Sequence, residues 1–251
     1  MMKNGLIALL LTCAAALAQT AISLPSVGMV RDSGGSVQAV NGIAGSFLLA
    51  DTGLSKAISA AFSGSAGLIK TDTEVLVLDA SYQVTTRYDA ISGPALFAFD
   101  ASGAPAFAYY SETLFRFHGG NLEPVNWSGD AVAIALAGRR SATVLVQRDA
   151  RLWNVRLSLA SGEIEYEGLL AGVSGPAALL SDAIVYTDGN DVVVRDDAGA
   201  ERRVAAGIQV DYFEQLGKDW LAIREAGGGR LFALRVRPEG LDLYQVPEVE
   251  Q

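Results

Sequence analysis

From residue 26 onward, apolar and polar residues alternate in short runs, each ended within a few positions by Gly, Asp, Ser or Asn. A period of two with frequent turn residues predicts strands, and no long helical pattern interrupts it. Six segments repeat one order of apolar run, short turn and second alternating run. They are VRDSGGSVQAV (30–40), VLDASYQVTTR (77–87), FRFHGGNLEPV (115–125), LSLASGEIEYE (157–167), VRDDAGAERRV (194–204) and VRPEGLDLYQV (236–246). Asp, Ser and Gly at the centre of each make it a two-stranded hairpin. The hairpins start 37 to 47 residues apart, close to the roughly 40–45 residues of a four-stranded repeat. Two further strand-like runs lie between successive hairpins, as in ALFAFD with AFAYYS, AVAIALA with ATVLVQ, and DYFEQL with WLAIRE. With strands named a to d from the inside outward, this gives five complete units after an N-terminal hairpin that reads as strands c and d.

A second repeat marks the joints between units. ISGPALF (91–97) returns as VSGPAAL (173–179), in the position where outer strand d crosses to the next inner strand a. Glycine allows the change of direction, and proline sets a turn before the strand without removing a ladder donor. WSGDAVAI and AAGIQVDYF hold the same place at two other joints. The fold class expected is therefore all-β: a single β-propeller over residues 19–251, of six blades, with five or seven left open by the incomplete first unit. The pattern resembles that of exported bacterial β-propellers of the loosely WD40-like kind, over about residues 26–247. That resemblance implies a ring fold and supplies no active-site residues. Gly-His and Trp-Asp dipeptides, the kelch pattern of double glycine with tyrosine and tryptophan, and the sialidase Ser-x-Asp-x-Gly box are all missing.

The N-terminus changes where the chain is expected to work. MMKNGLIALLLTCAAALAQT carries one lysine, a short apolar run and a closing Ala-Leu-Ala, the layout of a secretory signal cleaved after Ala18. Residues 1–18 are read as that leader, and the mature chain as secreted or periplasmic. Cys13, the one cysteine, falls inside it, so the mature fold uses no disulfide. A lipobox reading of LLTC, with Cys13 lipidated, is the alternative anchor. No later run reaches the roughly 18 apolar residues of a membrane span. The formal net charge of −9 becomes −10 without Lys3, which opposes nucleic acid as a partner. The oligomeric state is not encoded in these features.

Acids recur in the turns that a propeller places around one mouth. The b-to-c turns contribute Asp72, Glu112, Asp149, Asp188 and Glu225, and the d-to-a links Asp89, Asp130 and Asp211. Trp127, in the link NWSGD, is the aromatic expected to be exposed beside them. These nine residues form the predicted ligand-binding set, suited to a protein, peptide or glycan partner. No cofactor is expected, although converging carboxylates could take Ca²⁺; no Asp-x-Asp-x-Asp-Gly loop is present. The lone His118, in an outer turn, cannot build a zinc site or a nucleophilic triad, and Lys56, Lys70 and Lys218 lack a Ser-Lys motif. Trp153 and Trp220 sit in alternating strands and read as packing residues. No catalytic residue is assigned. The function expected is a non-enzymatic exported binding module acting through its acidic loop face. One alternative is a carboxylate-based or calcium-assisted hydrolase or lyase, with Asp149 and Asp188 as the acid pair. The other is a structural subunit of an envelope assembly.

Overall fold

The computed structural model describes residues 24–247 except 139, 174, 181, 182 and 228; residues 1–18, read above as a leader, and Cys13 lie outside the described residues. Every regular element among the described residues is a strand, and no helix is long and apolar enough to cross a membrane. The first blade has three strands, β1 (Ser26–Arg31), β2 (Val37–Ile43) and β3 (Ser46–Asp51). Blade 2 has β4 (Ser59–Phe62), β5 (Ala66–Lys70), β6 (Glu74–Asp79) and β7 (Val84–Asp89). Blade 3 has β8 (Leu96–Phe99), β9 (Pro105–Tyr110), β10 (Thr113–His118) and β11 (Asn121–Ser128). Blade 4 has β12 (Ala131–Ala137), β13 (Ser141–Arg148), β14 (Arg151–Ser158) and β15 (Ile164–Leu169). Blade 5 has β16 (Ala177–Leu180), β17 (Ala183–Asp188), β18 (Asp191–Asp196) and β19 (Glu201–Ala205). Blade 6 has β20 (Val210–Gly217), β21 (Trp220–Glu225), β22 (Leu231–Arg237) and β23 (Gly240–Gln245). Each sheet is an antiparallel meander in chain order, so the molecule is a six-bladed β-propeller.

The alternation read from the sequence works on both faces of each blade. One set of side chains packs against the preceding blade and the other against the following one, leaving six apolar clusters at the six junctions. Val144 and Val155 of blade 4, for example, meet Phe107 and Leu114 of blade 3. The hairpins predicted at 77–87, 115–125, 157–167, 194–204 and 236–246 are the outer c–d pairs of blades 2 to 6. The glycine–proline joints fall as expected. Gly93 and Gly175 have φ of 121° and 85°, and Pro94 and Pro176 stand just before β8 and β16.

The first hairpin corrects the sequence reading. Residues 30–40 join β1 to β2, at the inner side of blade 1, and the outer strand is β3, from SFLLAD, which the repeat search did not count. Val27 and Gly28 lie against Gly217 and Leu216, at the end of β20, while Arg31 reaches Tyr212 and Glu214, near its start. β1 thus runs antiparallel to the inner strand of blade 6. In direction its three strands match b, c and d of the other blades, and no strand a of blade 1 occurs among the described residues. The axis is accordingly lined by five inner strands, β4, β8, β12, β16 and β20, with Leu221 beside them. The ring closes by packing Val30, Val40 and Phe47 of blade 1 on Leu216, Ala222 and Ala233 of blade 6. Among the described residues no strand is exchanged between the first and last blades.

Candidate functional site

The b–c turns and d–a links of blades 2 to 6 emerge on one face, joined there by the turn at 32–36 of blade 1; we call it the upper face. Two of its turns, Ser111–Glu112 and Asp149–Ala150, have left-handed φ at both central residues, between 48° and 59°, without a glycine in either. Two-residue hairpin turns with both central φ positive match strand twist, but outside Asn, Asp and Gly they are strained. That backbone choice lifts the Glu112 and Asp149 side chains into solvent, where both are exposed. Asp130, also exposed, sits in the link to blade 4, and its carbonyl accepts from the Gln147 amide.

Tyr109 ties this region together. Its hydroxyl donates to the Gly129 carbonyl at 2.5 Å and accepts from the Ala131 amide at 3.2 Å, fixing the link beside which Asp130 projects. Burial raises the Tyr109 pKa, and the negative charges of Asp130 and Glu112 push in the same direction against the amide hydrogen bond. Glu112 and Asp130 therefore flank one phenol from two blades. Sequence reasoning passed over Tyr109 because AFAYY reads as core, which most of its ring is.

The remaining predicted residues are placed separately. Asp72 is exposed and accepts a hydrogen bond from the Ser92 hydroxyl, binding a b–c turn to the next link. Asp89 ends β7 and is exposed, and Asp211 is exposed within β20 rather than in the link before it. Asp188 pairs with Arg203 at 2.5 Å. Glu225 is held by Arg230, whose Nε lies 2.7 Å away, and the cation keeps its carboxyl below the ordinary value. Trp127 corrects the sequence reading in position: it is in strand β11, half-buried, with its ring 6.3 Å from Tyr109 and over Gly129. The alternation of LEPVNW continues through Trp127 and carries it onto the apolar junction of blades 3 and 4. Trp220 packs in the last junction as expected, against Phe47 and Tyr244, and Trp153 against the junction of blades 3 and 4. His118 ends β10 beside an outer turn and is exposed. Among the described residues no three His, Cys, Asp or Glu side chains come together as a metal ion would require.

Two charged groups lie deeper. Lys70 is fully buried, its amine donating to the carbonyls of Thr71 at 2.5 Å and Asp72 at 3.4 Å, 5.8 Å from the Tyr110 ring centre. Desolvation lowers its pKa, partly offset by the Asp72 charge. Glu214 lines the axis between β20 and β4, accepting from the Ala60 amide and from Arg31 Nε at 3.3 Å. Burial raises its pKa in spite of Arg31 and Arg224. Arg31 also donates to the Tyr212 hydroxyl at 2.8 Å, and Arg224 donates to the Arg31 carbonyl at 2.6 Å. The axial cavity holds only about 60 Å³, room for a few waters. An organic substrate has no space there.

No protein-family model and no curated protein matches the sequence. The fold is shared with solved structures of low identity. One is PorZ, described as an essential bacterial surface component of the type-IX secretion system of Porphyromonas gingivalis. It is 14% identical with a TM-score of 0.50, over 91% of this chain and 39% of that one, so the chain spans about two fifths of PorZ's length. A protein of unknown function from Bacteroides caccae is 13% identical with a TM-score of 0.51, over 90% of this chain and 100% of that one. The β-propeller domain of Cps50 (Swd1) from Myceliophteria thermophila is 11% identical with a TM-score of 0.50, over 77% of this chain and 72% of that one.

Proposed function

We propose that the protein is an exported, non-enzymatic binding module that engages a basic protein or peptide segment along its upper face. The observation that carries this reading is the state of the rim carboxylates. Asp89, Glu112, Asp130, Asp149 and Asp211 are exposed and make no ion pair among the described residues, while most nearby cations are committed elsewhere. Arg87 is taken by Glu74, Arg148 by Glu167 and Arg203 by Asp188; Lys56 and Arg151 are the exceptions. Loops held on a rigid ring are the usual place for recognition, and an unneutralised acidic arc steers and selects a cationic partner. Strained turns under Glu112 and Asp149 fit the same reading, since such conformations cluster where a side chain must be presented. A glycan partner is less well served, because Trp127 is packed rather than offered as a stacking plane. The hydrolase reading is less favoured, since Asp188, one of its acid pair, is paired with Arg203.

The test is binding of short Lys/Arg-rich peptides and neutral counterparts by fluorescence anisotropy, at low and high salt. The reading expects affinity for the basic peptides alone, weakened by salt and by the triple variant Glu112→Gln/Asp130→Asn/Asp149→Asn. Equal affinity for neutral peptides, or a triple variant that binds as well as the parent, would refute it.

A further inference from the structure

The opposite, lower face holds a cleft between blades 4 and 5 that the acidic rim does not explain. Across blade 4, the face turned toward blade 5 is built of cross-strand rungs. The upper rung is Ala133, Leu145 and Asn154, and the next is Ala135, Thr143 and Arg156. Ala133 and Leu145 are buried against Tyr186 and Val193 of blade 5. One rung lower, leucine gives way to threonine and the apolar junction stops. The wall opposite still presents Leu179 and Ile184, paired across β16 and β17 and only partly buried. Short side chains on one wall and aliphatic ones on the other leave a cavity of about 380 Å³. That is within the roughly 300–1,000 Å³ of small-molecule sites, and several times the axial cavity.

Three polar side chains of this cleft are uncommitted. Thr143, Asn154 and Arg156 make no side-chain hydrogen bond or ion pair among the described residues. Arginines elsewhere in strand interiors all face a carboxylate, a carbonyl, a hydroxyl or a ring. Arg116 faces Glu123, Arg195 Glu201, Arg202 the Arg237 carbonyl, and Arg235 the Trp220 ring. Arg156, in the middle of β14, is the exception among the described residues. A guanidinium beside a hydroxyl and an amide is a donor set for one carboxylate. Two acids stand on the same lining, Glu165, which accepts from the Ser141 hydroxyl at 2.8 Å, and Asp197, in the outer turn of blade 5. They would repel a second negative charge and accept an ammonium group.

We infer that this cleft binds a small zwitterion with an aliphatic side chain, a free amino acid or dipeptide of the leucine kind. Its carboxylate faces Arg156, Thr143 and Asn154, its ammonium faces Asp197 and Glu165, and its side chain lies on Leu179 and Ile184. The site is on the lower face and stands apart from the acidic rim.

The experiment is isothermal titration of the purified chain with leucine and with leucyl-leucine, alongside leucinamide, which lacks the carboxylate, and 4-methylpentanoate, which lacks the amine. Saturable binding of leucine or leucyl-leucine is expected, with both truncated probes weaker. Arg156→Gln, at an exposed position with no partner to lose, is expected to weaken binding about tenfold or more, with an unchanged melting temperature, and Thr143→Val less. No saturable binding of leucine or leucyl-leucine at millimolar concentration overturns the inference. So does an Arg156→Gln variant that binds as the parent does, or 4-methylpentanoate binding as tightly as leucine.

Discussion

The seam between the first and last blades depends on one buried ion pair, and its removal can be given a size. Arg31 and Glu214 have side chains 17% and 15% exposed, with their charged atoms 3.3 Å apart. Deleting one partner of a buried pair leaves the other uncompensated, at a cost of about 3–5 kcal/mol. Residual solvent contact puts Arg31→Met at the lower end, about 3 kcal/mol. In a chain of this size that is a melting temperature lower by roughly 6–12 °C. The pH dependence has a definite sign. Glu214 titrates above its ordinary 4.5 in the folded protein, so the folded state holds that proton more tightly than the unfolded chain. Its contribution is therefore fully present below about 4.3 and is lost as pH rises through the folded value. Tyr212 on its own strand, Arg31 on β1, Arg224 on β21 and the Ala60 amide on β4 are the groups around it. Arg31→Met removes the nearest cation, so the fall in stability from acid toward neutral pH should steepen, and adding Glu214→Leu should abolish it and recover much of the loss. Circular-dichroism melts across that range decide the matter. A parent-like melt of Arg31→Met at neutral pH, or an unchanged slope in the double variant, would refute the reasoning.

Two further outcomes are expected. Gly28→Ala places a Cβ on the Leu216 carbonyl oxygen, a backbone atom that cannot step aside, so about 3 kcal/mol is lost, at the upper end of overpacking costs; Gly34→Ala, with only the Asp32 carboxylate 3.4 Å away, should melt like the parent. Glu201 is held down to about 2 by hydrogen bonds from Arg195, then Tyr186 and Arg203, so its contribution is present above about 4.5 and lost as pH falls toward 2; Glu201→Gln should flatten that acid limb in melts taken across it.

How much of this was legible in the sequence depends on what alternation encodes. It fixes strand and face, and so the five c–d hairpins and the joints at Pro94 and Pro176 could be read from residues alone. It does not say how far a strand stands from the axis. VRDSGG at 30–35 and VRDDAG at 194–199 are nearly the same phrase, yet one turns between β1 and β2 and the other between β18 and β19. Trp127 was misplaced because a loop was drawn from SGD backward, whereas the strand runs through Ser128 before it breaks. Glu214 and Arg156 each look like the solvent-facing member of an alternating pair. One lines the axis on inner strand β20, and the other opens into a cleft because its rung neighbours Thr143 and Ala135 are too short to fill the gap to Leu179 and Ile184 of blade 5. Both depend on which blade stands opposite, which no local pattern carries.

That closure also constrains where recognition can occur. Five inner strands with small residues such as Ala60, Ala133 and Ala178 approach closely enough to leave a cavity of only about 60 Å³. Among the described residues blade 1 adds no inner strand a, and its β1 is pressed on β20 where Gly28 and Gly217 let the two backbones meet. With the axis this narrow, the turns and the gaps between blades are the roomier concave surface among the described residues. Of these, the upper turns carry unpaired acids and the gap between blades 4 and 5 carries an unpaired arginine. Blade 1 is held to blade 6 without a strand shared across the seam among the described residues. Local opening should therefore begin at blade 1, resisted by the Arg31–Glu214 pair together with the bonds of Arg31 to Tyr212 and of Arg224 to the Arg31 carbonyl.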